Sequence, residues 1–420
     1  MNSFEIAYAP SKLHGITSAK LWVKGGSRAD PKKQKGAHQL LGSVLSRGCG
    51  PYTESSLADL IEGCGSGLRC DVNEDGFLIT LKCSEEDAKE LIPIIGWMIN
   101  DPHLAEDQIL LEKELTLQAL QRQRENPFHL AYDGWRQLAY GDGPYGHDPL
   151  GLAKHLIQIN RNDLIPLAKR LRNNSAKLVI GGSINQELKD SILEATPFNS
   201  LLRQTKNALN EDNQYYSDFI NKQSNKTIKV QHEETNQVVI MLGQSTIPHG
   251  DKDDLALRLI NCHLSSGMSS HLFKKLREEH GVAYEVGVYH PSREGNAPFV
   301  MHASTSEEKA LLTLQLLMDS WRDLIDNPVS EGALSLAKAK FEGLIAHSTQ
   351  TSAQRAERQA ILMAWNLPID FDVKCTQQIQ NMTAKVLQEI ARKHLRSPHL
   401  SLCGPKTSLD KLTQYWLERK

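Results

Sequence analysis

Two segments of this chain recur at one fixed spacing, and that constrains the fold more than any local pattern. LWVKGGS (21–27) answers to IMLGQST (240–246), and LLGSVLSRG (40–48) answers to LINCHLSSG (259–267). Both pairs are offset by 219 residues (240 − 21 and 267 − 48). The halves also close alike, with AKLVIGG (176–182) set against PHLSLCG (398–404). An offset near half of a 420-residue chain implies a duplication, so each half is expected to fold on one plan.

Strand and helix signals mix within each half. ITSAKLWVKGG (16–26) is β-rich and ends in a Gly pair, and GLRCDVNEDGFLITLKC (67–83) reads as two strands around an Asp-Gly turn. Helical patterns run from Glu85 to Asn100 and from Ala105 to Asn126, the second stopping before Pro127. NSAKLVIGG (174–182) is another strand. Between the halves, 200–227 is rich in Asn, Gln, Ser and Lys, which predicts a linker with a short helix or a polar helix packed on one domain. The expected organisation is a first domain over 1–199, a linker over 200–227 and a second domain over 228–420. Each domain is expected to be α+β, a mainly antiparallel sheet covered by helices.

Composition excludes several classes. A net charge of −2 argues against nucleic acid or an anionic membrane surface as the main partner. Apolar residues at 40% and charged residues at 23% suit a globular protein with large cores. No run of about 18 apolar residues exists, so no membrane-spanning helix is expected, and no secretory leader is visible. Seven Cys without a C-x-x-C pair fit reduced thiols in a cytoplasm, with Cys64 and Cys70 as ordinary buried thiols.

The stretch GAHQLLGSVLSRG (36–48) poses the functional question. Ala37, Leu40, Leu41, Val44 and Leu45 make one buried helical stripe, and His38 and Gly42 lie four apart on a neighbouring face. An H-x-x-E-H helix would put two zinc-binding His there, with Glu as general base. Here the first His is His38, the Glu position is Leu41 and the second His position is Gly42.

At this point a family resemblance emerges. VKGGSRADP (23–31), the helix after it, LEKELTLQALQRQRENP (111–127) and LRNNSAKLVIGGSI (171–184) resemble the first domain of M16 (insulinase or pitrilysin) zinc metallopeptidases. SSHLFKKLREEHGVAYEVG (269–287) resembles that family's second-domain motif, and the likeness spans nearly the whole chain. The resemblance implies an M16-like fold, of the LuxS/metallohydrolase type. It places the third zinc ligand, a Glu, at Ala119, while Glu112 keeps an acidic position common in the family. One of three ligands remains and the general base is gone, so no metal is expected on this chain. His38 is then expected to be a helix-surface or pocket-lining residue.

From the residues alone, KKLREEHGVAYEVGVY (274–289) is a helix stopped by Gly281 and followed by a strand. Tyr284 would be a core tyrosine and Arg277 a solvated charge. The resemblance implies otherwise. In the family, an Arg and a Tyr seven apart at this turn reach the zinc site of the other half or of a partner, and Arg277 and Tyr284 have that spacing. Such fixed donors can hold a peptide carbonyl and favour charge on its oxygen.

The expectation is a non-catalytic subunit, inactive alone, that binds no cofactor and pairs with a homologous zinc-bearing M16 chain around an extended peptide. Zinc is expected in that partner. The rival reading is a catalytically inactive scaffold or peptide-binding homologue, a homodimer without hydrolysis. The retained Arg–Tyr pair argues against pure scaffolding.

Overall fold

Two five-stranded sheets carry the fold, one from each half. The first comprises β1 (Phe4–Pro10), β2 (Ile16–Lys24), β3 (Gly67–Val72), β4 (Gly76–Ser84) and β5 (Ala176–Gly182). The second comprises β6 (Ile228–His232), β7 (Gln237–Ser245), β8 (Glu285–Tyr289), β9 (Pro298–Ser306) and β10 (His399–Gly404). This computed structural model describes residues 4–11, 15–205 and 226–419. Most of the segment expected as a linker, residues 206–225, lies outside the described residues, and its start belongs to helix Thr196–Thr205. Among the described residues no helix is long and apolar enough to cross a membrane.

The duplication appears as identical topology. The strand orders are β1-β5-β2-β4-β3 and β6-β10-β7-β9-β8. In each sheet the outermost first strand pairs parallel, β1 with β5 and β6 with β10, and the other pairings are antiparallel. The expected offset of 219 needs correction at the strands. β2 and β7 begin 221 residues apart (237 − 16), and β4 and β9 begin 222 apart (298 − 76). Register agrees: Leu21 faces Leu178 and Ile79, while Leu242 faces Leu400 and Met301. A two-residue slip keeps every side chain on its own face, so the apolar pattern alone does not reveal it.

Local chemistry sets the turns. Asn73 Oδ1 accepts the Asp75 and Gly76 N–H groups at 2.8 and 2.9 Å, closing the β3–β4 connection. Gly26 has φ +32, and a Cβ there would lie 2.3 Å from the Glu74 carbonyl oxygen, so β2 can leave the sheet beside this turn only through glycine. Asn126 caps helix Pro127–Tyr140, accepting the Phe128 N–H at 2.9 Å with Pro at the first turn.

One face of each sheet packs on its own half's helices. Leu21, Val23, Phe77 and Ile79 do so in the first, and Ile240, Leu242, Phe299 and Met301 in the second. The other faces are apolar too, and the halves trade helices to cover them. Helix Ser352–Ala364 lays Ala356 and Ala360 on Trp22, Leu78 and Val179. Helix Pro127–Tyr140 lays Ala131, Trp135 and Ala139 with Val239, Met241, Val300 and Cys403. The compact units are therefore 1–121 with 147–220 and 347–369, and 122–146 with 221–346 and 370–420. They differ from domains at 1–199 and 228–420 by this trade.

Candidate functional site

Helix Ala37–Leu45 starts at Gly36, which has φ +100 and stands against the Leu150 carbonyl. Its N-terminus is held by a buried carboxylate rather than by a neighbouring cap residue. Asp30 Oδ2 accepts the Gly36 N–H at 2.6 Å, and Oδ1 accepts the His38 N–H at 3.0 Å. His38 Nδ1 lies 2.8 Å from Asp30 Oδ1, and His147 Nε2 lies 3.0 Å from Oδ2. Burial alone would raise the Asp30 carboxyl, but its bonds to His147 and His38 outweigh burial and hold it at about 2.

His38 is thus buried, not on the helix surface, and one ring nitrogen is committed to Asp30. Leu41 is fully buried in the core. Gly42 is backed by β3: a Cβ there would lie 2.2 Å from Val72 Cγ2 and 3.5 Å from Cys70 Sγ. Ala119 sits half-buried on helix Glu106–Arg124. Glu112 on that helix is buried, and its Oε1 takes the Arg47 Nε–H at 2.7 Å, tying the helix to the residue after Ser46. These residues do not fit a zinc ion. A catalytic site needs about three protein ligands, whereas His38, Leu41, Gly42 and Ala119 supply one imidazole between them. Among the described residues no group of three His, Cys, Asp or Glu could hold a metal.

Arg277 and Tyr284 lie on either side of Gly281, in the other compact unit. The segment Phe273–Glu279 is π-helical instead of the expected ordinary helix. Its buried anchors are Leu272 and Leu276, and the Val282 N–H donates back to the Leu276 carbonyl at 2.8 Å. Gly281 takes φ +60, as expected of the residue that ends the helix. Arg277 is exposed, and its guanidinium stands 5.1 Å from the Phe273 ring centre. Tyr284 just precedes β8 and gives its N–H to the Ser304 carbonyl at 2.8 Å. Its side chain is 64% exposed, so it is not a core tyrosine, although Val282 in the same alternation is buried. Neither side chain has an ion pair or hydrogen bond among the described residues.

Sequence reasoning missed Asp30 and His147. Only the fold brings His147 to Asp30, across 117 residues, and no local pattern marks either one.

The fold class is therefore a duplicated α+β protein with one five-stranded sheet and covering helices in each half. Residues 6–148 match the family profile described as insulinase (peptidase family M16), and residues 158–341 match that of the peptidase M16 inactive domain. The chain belongs to peptidase family M16. It is similar to a Helicobacter pylori protein named non-peptidase homolog YmxG, at 23% identity over 93% of this chain and 88% of the relative. It is also similar to an uncharacterized zinc protease of Rickettsia felis, at 24% identity over 80% and 79%. In fold it matches the crystal structure of a peptidase M16 inactive domain from Pseudomonas fluorescens, with a TM-score of 0.80, 21% identity and 96% of each chain covered.

Proposed function

We propose that this chain holds no catalytic zinc and serves as the Arg/Tyr-bearing subunit of an M16 endopeptidase. Its partner is a homologous chain with an intact H-x-x-E-H helix, to which the hydrolytic zinc belongs. The observation that carries this reading is the state of Arg277 and Tyr284. Two donors flank one glycine turn, both side chains reach solvent, and neither has an ion pair or hydrogen bond among the described residues, although the Arg277 guanidinium stands 5.1 Å from the Phe273 ring centre. A π-helical segment is rare and often marks a functional position. Both groups donate to oxygen, which suits a peptide carbonyl gaining charge.

The substrate is an extended peptide. Among the described residues β3 pairs only with β4, and it alternates exposed and half-buried residues, so its outer edge offers backbone groups for strand addition beside helix Ala37–Leu45. The name of the Helicobacter pylori relative favours inactivity of the single chain and is silent about a catalytic partner. It thereby also favours the second reading, a peptide-binding or structural homologue without hydrolysis. Mixing the chain with a homologous zinc-bearing chain and assaying a quenched extended peptide separates the two. The first reading expects cleavage by the mixture and by neither chain alone. Cleavage by the zinc-bearing chain alone at the same rate would refute it.

A further inference from the structure

A cleft of ≈ 660 Å³ opens at one end of the second sheet, where β7 ends and β10 begins, between helices Ala310–Asp326 and Lys406–Glu418. Its apolar wall includes Leu242, Met318, Trp321 and Trp416. Arg322, Arg396 and Arg419 also line it, all three exposed, and no acidic residue does. Such a volume falls in the range of small-molecule sites, roughly 300–1,000 Å³.

The polar groups are only partly used. Arg419 gives Nη1 to Tyr415 Oη at 2.8 Å, Arg396 gives Nε to the Arg392 carbonyl, and Arg322 stands 3.9 Å from Asp319. A guanidinium has five N–H donors, so each keeps donors in reserve. Trp416 is 4% exposed, yet its Nε1–H has no partner among the described residues, and neither has Ser245 Oγ. Trp321 shows the contrast, because its Nε1–H reaches the Leu395 carbonyl at 2.7 Å.

We infer that this cleft binds an amphipathic organic carboxylate, with an aromatic or branched body on the tryptophans and its anionic end on the arginine rim. Guanidinium recognises carboxylate by paired N–H donors, and no acidic residue lines the cleft. The same chemistry occurs in a free carboxylic acid and in the C-terminal residue of a peptide ending in an apolar side chain.

The test is calorimetric titration of the full chain with N-acetyl-phenylalanine, the tetrapeptide Ala-Ala-Ala-Phe, and the C-terminal amide of each. Saturable binding of an acid, weakened about tenfold or more in its amide, is expected. Arg396→Gln with Arg419→Gln should erase the acid–amide difference. These exposed side chains can change without disturbing the core, which thermal melting checks. Trp416→Phe should weaken both forms while keeping the acid preference. Binding of both acids points to a free carboxylic acid, and binding of the peptide acid alone points to a peptide C-terminus. No binding of either acid, equal binding of acids and amides, or an acid preference that survives the double Arg substitution would overturn the proposal.

Discussion

Val72 of β3 stands where a side chain on residue 42 would have to go. A Cβ built on Gly42 comes 2.2 Å from Val72 Cγ2, a distance real side chains do not tolerate. Position 42, where the resemblance implies a second zinc His, is thus closed by a β-branched residue of the neighbouring strand, whose stiff χ1 gives little room to turn away.

Restoring the ligands alone should therefore fail. The triple variant Leu41→Glu, Gly42→His, Ala119→Glu is expected to gain no stoichiometric zinc and to lose stability. Overpacking a well-filled core costs about 1–3 kcal/mol, and burying Glu at Leu41 adds to that. Adding Val72→Ala should recover part of the loss. Metal analysis after dialysis and chemical denaturation are the measurements. About one tightly held zinc per chain in the triple variant would refute the steric argument.

Asp30 makes a pH prediction of definite sign. Its carboxyl falls from an ordinary 3.8 to about 2 in the folded chain, so the ionised form is favoured by folding. The stabilisation is fully present above the unfolded value and is lost as pH falls through the folded one, between about pH 4 and 2. A shift of this size corresponds to roughly 2–3 kcal/mol. Asp30→Asn should be less stable at pH 7, because an amide nitrogen would face donors from Gly36, His38 or His147, and its stability should change less across that window. Unfolding free energies at pH 2–7 for both proteins provide the check.

The traded helix Ser352–Ala364 gives a paired stability test. A Cβ on Gly181 of β5 would lie 2.8 Å from the Ser352 carbonyl oxygen and 3.0 Å from Ala356 Cβ. Gly181→Ala should cost about 1–3 kcal/mol through this backbone contact. Gly343, in helix Glu331–Ser348, has nothing within 4 Å of its would-be Cβ. Gly343→Ala should stabilise by about 0.4–1 kcal/mol. Urea denaturation of both variants measures the contrast; equal effects would deny that the helix rests tightly on β5.

What is legible in the sequence follows the range of the interaction that encodes it. The Asp75-Gly76 turn, the stop before Pro127 and Gly281 as a helix end are local, and each stands in the structure. The duplication is legible because segments recur, but the offset of β7 from β2 differs by two from the segment offset, a slip invisible to a period-two pattern. The helix trade is hidden because the sheets are apolar on both faces, which says that a cover is needed and not which helix supplies it. That Leu41 and Gly42 stand where the resemblance implies a general base and a zinc-binding His is plain, while the Asp30–His147 contact and the Val72 closure depend on chain folding. The π-helical form of Phe273–Glu279 changes which carbonyl each N–H meets and leaves composition unaltered.

The sharpest prediction concerns Arg277 and Tyr284 with a zinc-bearing partner. Tyr284→Phe removes one hydroxyl from a side chain 64% exposed, so folding should be unaffected. Arg277→Ala removes an exposed guanidinium that stands over the Phe273 ring, and its cost to stability should stay under about 1 kcal/mol. If both donate to the scissile carbonyl as its oxygen gains charge, each substitution should lower turnover by about 10²–10³-fold. Arg277→Lys should recover little, because an ammonium cannot reproduce the planar fork. Turnover on saturating peptide is the measurement, with complex formation followed separately by sizing. A scaffold predicts the opposite: normal assembly and unchanged rates in every variant, since groups that do not meet the substrate have no step to slow. Loss of assembly with normal turnover per complex would instead place the pair in the contact between subunits, and it too would deny them a role at the carbonyl.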